Sequence, residues 1–385
     1  MASRVDTARV PSVRIAPDSE TVLKELGLLK DMPGSWQGHG FNLIARPDRE
    51  GEADLYLELN QTDETLKLET IGSPIPNRGL GQDDIELAGL TYLQKIKDSV
   101  TGGALHIEPG IWITQPETSY PPEAPPAGEQ IVTRLANIPH GNSLLAHGTA
   151  RRFQGPPTLA VPGSNYAFSA FPSFNSTPFR VGEPMSAAGS SEKDSDPGEA
   201  GFTQYDLSVP TSRENPRTPF PATAPPLPAT IDGIPMQEVV NDPIKLLQAV
   251  IERQTREGCT FEGIALNIAT QARIPFFDRP NSRVGKGAPP PSSEVEVPLG
   301  AGGIENIPFL KGGEPTGAQG SNALAALVYA TFWIETVSHP GRADILQLQY
   351  AQMTVLDFAI LNALPAVVNL GWPHVSVATL KRTFL

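Results

Sequence analysis

The sequence predicts an all-β chain: one antiparallel β-barrel with a large Pro/Gly-rich insertion that contains at least one helix. Three observations predict it. Short strand-like stretches closed by Gly, Pro, Asn or Asp fill residues 34–150, similar stretches return over 326–385, and the prolines, 40 in all, crowd between the two blocks. Proline removes a ladder donor and is kept out of central strands, so the outer parts suit a sheet and the middle mostly does not. Strands at both ends of a chain, with a long interruption, fit a barrel closed by its first and last strands. The expected organisation is an N-terminal segment with a short helix (1–33), the first part of the barrel (34–150), the insertion (151–325, partly loop, with a helix at about 242–258) and the closing strands (326–385).

Each element has its own signal. Thr21 to Leu29 places Val22, Leu26 and Leu29 at helical spacing despite Gly27. Strands are expected at Asp54 to Asn60, Thr65 to Ile71, Ile85 to Lys97, Ala104 to Thr114 and Gln130 to Ile138. Between two of these, Asp98 to Gly103 reads as a hairpin loop, its two glycines able to take positive φ. In the insertion, Ser186 to Glu199 lacks apolar anchors and is expected to be mobile. Asp242 to Gly258 instead reads as a helix: Asp at the N-cap, Pro at the first position, apolar Ile244, Leu247, Val250 and Ile251, and a Gly stop. Phe261 to Ile274 reads as a strand of a small helix–strand insertion. The chain closes with Val328 to Val337, a Pro-Gly turn at 338–342, Ile345 to Val355, and Trp372 to Leu380. In that last strand Trp372, His374, Ser376 and Ala378 share one face, and Val375, Val377 and Thr379 the other.

Composition narrows the partners. With 29 Lys plus Arg against 42 Asp plus Glu, the formal net charge of −13 opposes association with phosphate backbones or anionic membranes. No apolar run reaches the length of a membrane-spanning helix. The sole cysteine, Cys259, has no partner for an intrachain disulfide, and residues 1–13 lack the apolar core of a secretory signal. A cytoplasmic protein is expected. Neither a Gly-x-Ser-x-Gly elbow, a phosphate-binding Gly-x-x-x-x-Gly-Lys loop nor a His-Glu-x-x-His motif occurs.

Four stretches, in order, resemble one family. Gly34-Ser-Trp-Gln-Gly-His-Gly40 resembles the Gly-x-Trp opening of lipocalins and, more closely, the opening of nitrobindins. Leu90 to Gly110, with Tyr92, Thr101-Gly102 and His106-x-Glu108-x-Gly110, is similar to a nitrobindin hairpin. Gln130 to Asn142 with Gly148-Thr149 resembles a later strand and turn, and Leu346 to Met353 with Pro373 to Arg382 resemble the closing pair. The chain thus resembles the nitrobindin-like heme-binding barrels of the calycin superfamily, related to lipocalin and fatty-acid-binding barrels, over roughly Leu23 to Thr149 and Tyr329 to Arg382, about half its length. The insertion has no counterpart in that family, and the strand after His374 is one residue longer.

The resemblance implies heme b bound through His374, the position matching the family's proximal histidine, in a barrel that reacts with nitric oxide, peroxynitrite or peroxide. Whether that amounts to catalysis, as a heme-dependent peroxidase or a peroxynitrite isomerase, turns on a base reaching the distal side of the iron. His374 is the metal ligand in this reading, and Trp372, Trp36, His39 and His106 complete the cofactor-binding set. Each has a plainer reading. His374 also suits a buried structural histidine, Trp36 a plug at one end of the barrel, His106 a hydrogen-bonded partner of Glu108 on the same strand face, and His39, His140 and His147, the candidates for a distal or propionate-side group, equally suit solvent-facing positions. The alternative function is a heme-free, lipocalin-like carrier of a small apolar ligand. A small-molecule ligand or oxidant is the expected partner, with a homo-oligomer left open.

Overall fold

The structure, a computed structural model, describes residues 18–48, 53–138, 141–157, 159, 179–180, 207–208, 227–276, 293–297, 299–300, 302–306, 324–360 and 368–383. The 186–199 stretch expected to be mobile, and His140, lie outside them.

Ten described strands form the wall: β1 (Gly34–Asp48), β2 (Ala53–Thr70), β3 (Ile85–Asp98), β4 (Ala104–Gln115), β5 (Glu129–Ile138), β6 (Asn142–Gln154), β7 (Thr260–Ala269), β8 (Leu324–Ser338), β9 (Ile345–Ile360) and β10 (Val368–Thr383). They pair antiparallel in chain order, and β1 pairs with β10 from Ser35↔Thr383 to Ile44↔His374, closing the cylinder. The all-β expectation and closure by the first and last strands are both met. Two strand expectations change. The stretches 54–60 and 65–71 are one continuous strand, β2, since the polar residues between them keep the alternation. The strand expected over 261–274 ends at Ala269 and is no appendage: it pairs with both β6 and β8 as the seventh stave. Proline density set 151–325 apart in the sequence but could not show that a barrel strand lies within it.

Even-numbered positions on these strands point inward. Trp112 on β4 meets Phe332 on β8 with ring centroids 5.2 Å apart, although three strands separate them in the wall, and Phe332 stacks on Tyr350 at 5.5 Å. A ten-stranded barrel is wider than the eight-stranded kind that ordinary side chains just fill, so large groups are needed to close its middle. One end is sealed by the N-terminal segment. The expected helix splits at Gly27, whose φ of +56° breaks it into α1 (Ser19–Glu25) and a 3-10 turn, Gly27–Asp31. Leu26, Leu29 and Met32 then pack beneath Trp36, Leu66, Leu90 and Leu380. Trp36 is fully buried and its Nε1–H donates to Met32 O at 2.8 Å. Across from it, a Cβ on Gly38 would lie 2.1 Å from Thr379 O, so only glycine allows β1 and β10 this approach.

The outward face of β1, β2 and β7–β10 is also buried. Two insertion helices, α2 (Met236–Asn241) and α3 (Ile244–Arg256), lay Met236, Val239, Ile244 and Leu247 against Leu43, Leu59, Tyr329, Trp333, Met353 and Val377. All four apolar positions read from the sequence of α3 are buried. Asp242, expected at its N-cap, instead ends α2, and Pro243 occupies the cap position. The barrel therefore has two cores, one inside and one between wall and insertion.

Candidate functional site

The inner core is layered. Its lower part is apolar, while the inward rows of β2–β5 and β9 carry buried polar groups higher up. Alternation puts them there: Arg134 lies between inward Val132 and Ala136, and Glu64 precedes inward Leu66 and Leu68.

Two linked networks result. In the first, the Glu108 carboxylate binds the Arg134 guanidinium and accepts from the Tyr92 hydroxyl. Arg134 Nε–H donates to Tyr92 Oη at 2.9 Å and Nη1–H to Gln352 Oε1 at 2.8 Å. The guanidinium also lies 5.4–5.9 Å from the ring centres of Tyr92, Trp112 and Phe332. Burial pushes the Glu108 carboxyl up, but Arg134 and the hydrogen bonds from His106 and Tyr92 outweigh it and hold the group down at about 2. Glu108 is an ionised carboxylate with no exposure to speak of. Its second oxygen accepts from His106 Nε2–H at 3.1 Å.

In the second network, Glu64 accepts from Thr62 Oγ1 at 2.8 Å and from Tyr350 Oη at 2.6 Å. Gln94 Nε2 spans both, 3.4 Å from Glu64 Oε2 and 3.2 Å from Tyr350 Oη. Among the described residues Glu64 makes no ion pair, and burial raises its pKa against these hydrogen bonds and the weaker pull of His106. Burial and the neighbouring Glu64 carry the Tyr350 hydroxyl well above its ordinary value.

These networks border a cavity of about 870 Å³ over β1–β4, lined by both inward and outward positions: Glu64, Ile96 and His106, then His39, Asp63, Lys95, Lys97, Leu105 and Ile107. That volume lies in the range of small-molecule sites. The arrangement offers an apolar wall, two lysines at the edge, and a partly buried imidazole oriented by a buried carboxylate.

The sequence-derived residues separate. His106 lies on the cavity and in the first network. His39 also borders the cavity but points outward, its side chain 84% exposed and its Nδ1 2.9 Å from Asp63 Oδ1. Trp36 belongs to the apolar end. His374 is inward on β10, opposite Ile44, and its Nε2 bonds Ala45 O at 2.8 Å. Burial lowers its pKa to about 4, so the imidazole is neutral. Trp372 is fully buried with Val375 and Val377 rather than with Ala378, which departs from the single face expected for Trp372, His374, Ser376 and Ala378. His147 stands 3.4 Å from Glu123. The structure thus joins His106 with Tyr92, which the sequence reading used only as part of a motif, and with Glu64, Arg134 and Tyr350, which it passed over. Charged residues at inward parity between apolar neighbours were the available signal.

Fold and site define a closed ten-strand antiparallel barrel with buried ionisable networks beside a cavity. No family model matches the chain, and no curated protein matches it. The crystal structure of Rv2717c from M. tuberculosis matches over 94% of this chain and 98% of that one, with 12% identity and a TM-score of 0.33. No described helix is long and apolar enough to cross a membrane.

Proposed function

We propose that this chain is a calycin-like barrel that binds a small molecule in the cavity over β1–β4, with His106 and Glu64 holding the polar head of a ligand whose apolar body lies on Ile96, Leu105 and Ile107. One observation carries the reading: His106 borders the cavity while its Nε2 is fixed by the buried, ionised Glu108. A side chain oriented in advance loses little freedom on binding, which is how a few polar groups set orientation in a mostly apolar site. Arg134 is committed to Glu108, Tyr92 and Gln352, so it supports the site and does not contact the ligand.

Heme b on His374 is the competing reading. The described residues do not fit it as they stand. The Nε2 that would meet iron is engaged by Ala45 O, the cavity does not border His374, and the middle of the lumen is filled by Trp112, Phe332 and Tyr350. Reaction with nitric oxide, peroxynitrite or peroxide depends on that iron and stands or falls with it.

Anilinonaphthalene sulfonate, an apolar fluorophore with an anionic head, tests the preferred reading. Wild type is expected to bind it saturably, and Ile107→Glu and His106→Ala to weaken binding at least about tenfold, roughly 1.4 kcal/mol. Circular dichroism would confirm that both variants keep the fold. Equal affinity in all three proteins would sink the assignment.

A further inference from the structure

We propose that Glu257, Cys259 and His339 form a site for a single Zn²⁺ ion at the seam between the end of α3 and the β8–β9 turn. A Glu257 carboxylate oxygen, Cys259 Sγ and a His339 ring nitrogen all lie within 4.8 Å of one another, and His339 Nε2 is 3.1 Å from Glu257 Oε2. Zinc bonds of about 2.0–2.3 Å set tetrahedral ligands roughly 3.3–3.8 Å apart, so side-chain rotation alone brings the three into place. The site has no part in the cavity over β1–β4 and rests on none of the argument for it.

The backbone holds the ligands in advance. Gly258, with φ +82°, ends α3 in a Schellman motif: Gly258 N–H bonds Thr255 O and Cys259 N–H bonds Gln254 O, both at 3.0 Å. This reversal brings Cys259 back beside Glu257. On the other side, Arg342 N–H bonds His339 O at 3.2 Å and fixes the turn that presents the imidazole. The carbonyl end of α3 carries partial negative charge, which favours a cation there. Burial, and then Glu257, push the Cys259 thiol up against Arg342, so it is the arriving cation that must draw off the proton.

The donor set selects the metal. Thiolate, imidazole and carboxylate together suit zinc, whereas magnesium and calcium take oxygen ligands. Three protein ligands leave a fourth position for water, and Glu257, 48% exposed, gives the ion a way in. Binding releases the thiol proton to solvent. The bound ion would pin α3 to the barrel, so zinc should stabilise the whole chain.

The full chain, stripped with a chelator, would be titrated with Co²⁺ and then Zn²⁺. The expected results are a thiolate-to-cobalt charge-transfer band that saturates at one ion per chain, its displacement by Zn²⁺, and a higher unfolding midpoint with Zn²⁺. Cys259→Ser should lose the band and the stabilisation. His339→Ala, on an exposed turn, should bind Co²⁺ at least about tenfold more weakly, since even an outer partner of a ligand is worth roughly 10–100-fold. Absence of the band in wild type, or an undiminished Zn²⁺ response in Cys259→Ser or in His339→Ala, would overturn the proposal.

Discussion

Glu108 inside the barrel and Glu335 outside it are equally deprived of water, 1% and 0% exposed, yet they titrate in opposite directions. Glu108 faces Arg134 and is held at about 2. Glu335 lies under α3 with only Gln347 Nε2 donating to it, at 2.6 Å, and burial pushes it up to about 8. Its other oxygen has no partner among the described residues. Burial alone therefore does not set the state of a carboxyl group; the charge that faces it does. The inner network is a charged pair built to stay charged. The outer one is a neutral acid bridged by amides, Gln347 reaching Gln254 on α3 at 2.9 Å.

The sharpest way to break this contrast is to remove the inner cation. Arg134→Met leaves Glu108 buried without its guanidinium, held only by Tyr92 and His106, and should cost about 3–5 kcal/mol. Adding Glu108→Leu should recover most of it, because a well-packed apolar pair escapes the desolvation penalty. Urea midpoints of the single and double variants measure both effects. A loss below about 1 kcal/mol in the single variant would mean that water reaches the pair.

The outer carboxyl makes a pH prediction of opposite sign to the usual one. Its folded pKa of about 8 exceeds the ordinary 4.5, so the folded state binds the extra proton between those values. Stability should therefore fall as pH rises from about 4.5 to about 8, by something on the order of a few kcal/mol, and level off above. Glu335→Gln keeps the hydrogen bond from Gln347 and should flatten that slope. Denaturation midpoints across this range would settle it, and parallel curves for wild type and variant would show that Glu335 is ionised in the fold. The smallest effect belongs to the apolar end: Trp36→Phe loses the bond to Met32 O and should cost roughly 1 kcal/mol plus a little packing.

The sequence revealed the wall more readily than its contents. Alternation and turn glycines located strands such as 85–97 and 104–114 to within a residue or two, because each has one buried face. The α3 face was equally plain, since Ile244, Leu247, Val250 and Ile251 repeat at helical spacing. What the sequence hid depends on pairings far apart in the chain. Tyr350 meets Glu64 across 286 positions and Arg134 meets Gln352 across 218. His374 showed the same limit. Its strand, and the face it shares with Ser376 and Ala378, followed from alternation, but the Ala45 carbonyl that holds it comes from β1, and only closure of the barrel brings that carbonyl near. The strand at Thr260–Ala269 was legible, but its place as the seventh stave was not, because it lies inside the proline-rich insertion and its partners on β6 and β8 are far off in the chain.

The central claim is that the ligand lies over β1–β4 and that His374 is a structural hydrogen-bond donor. Hemin titration of wild type and His374→Ala, followed at the Soret band, tests it most directly. The account predicts no stoichiometric Soret band that depends on His374, together with unchanged anilinonaphthalene sulfonate binding in the folded variant. A saturating Soret band in wild type that disappears in His374→Ala, with the barrel intact by circular dichroism, would contradict the account and establish the heme reading.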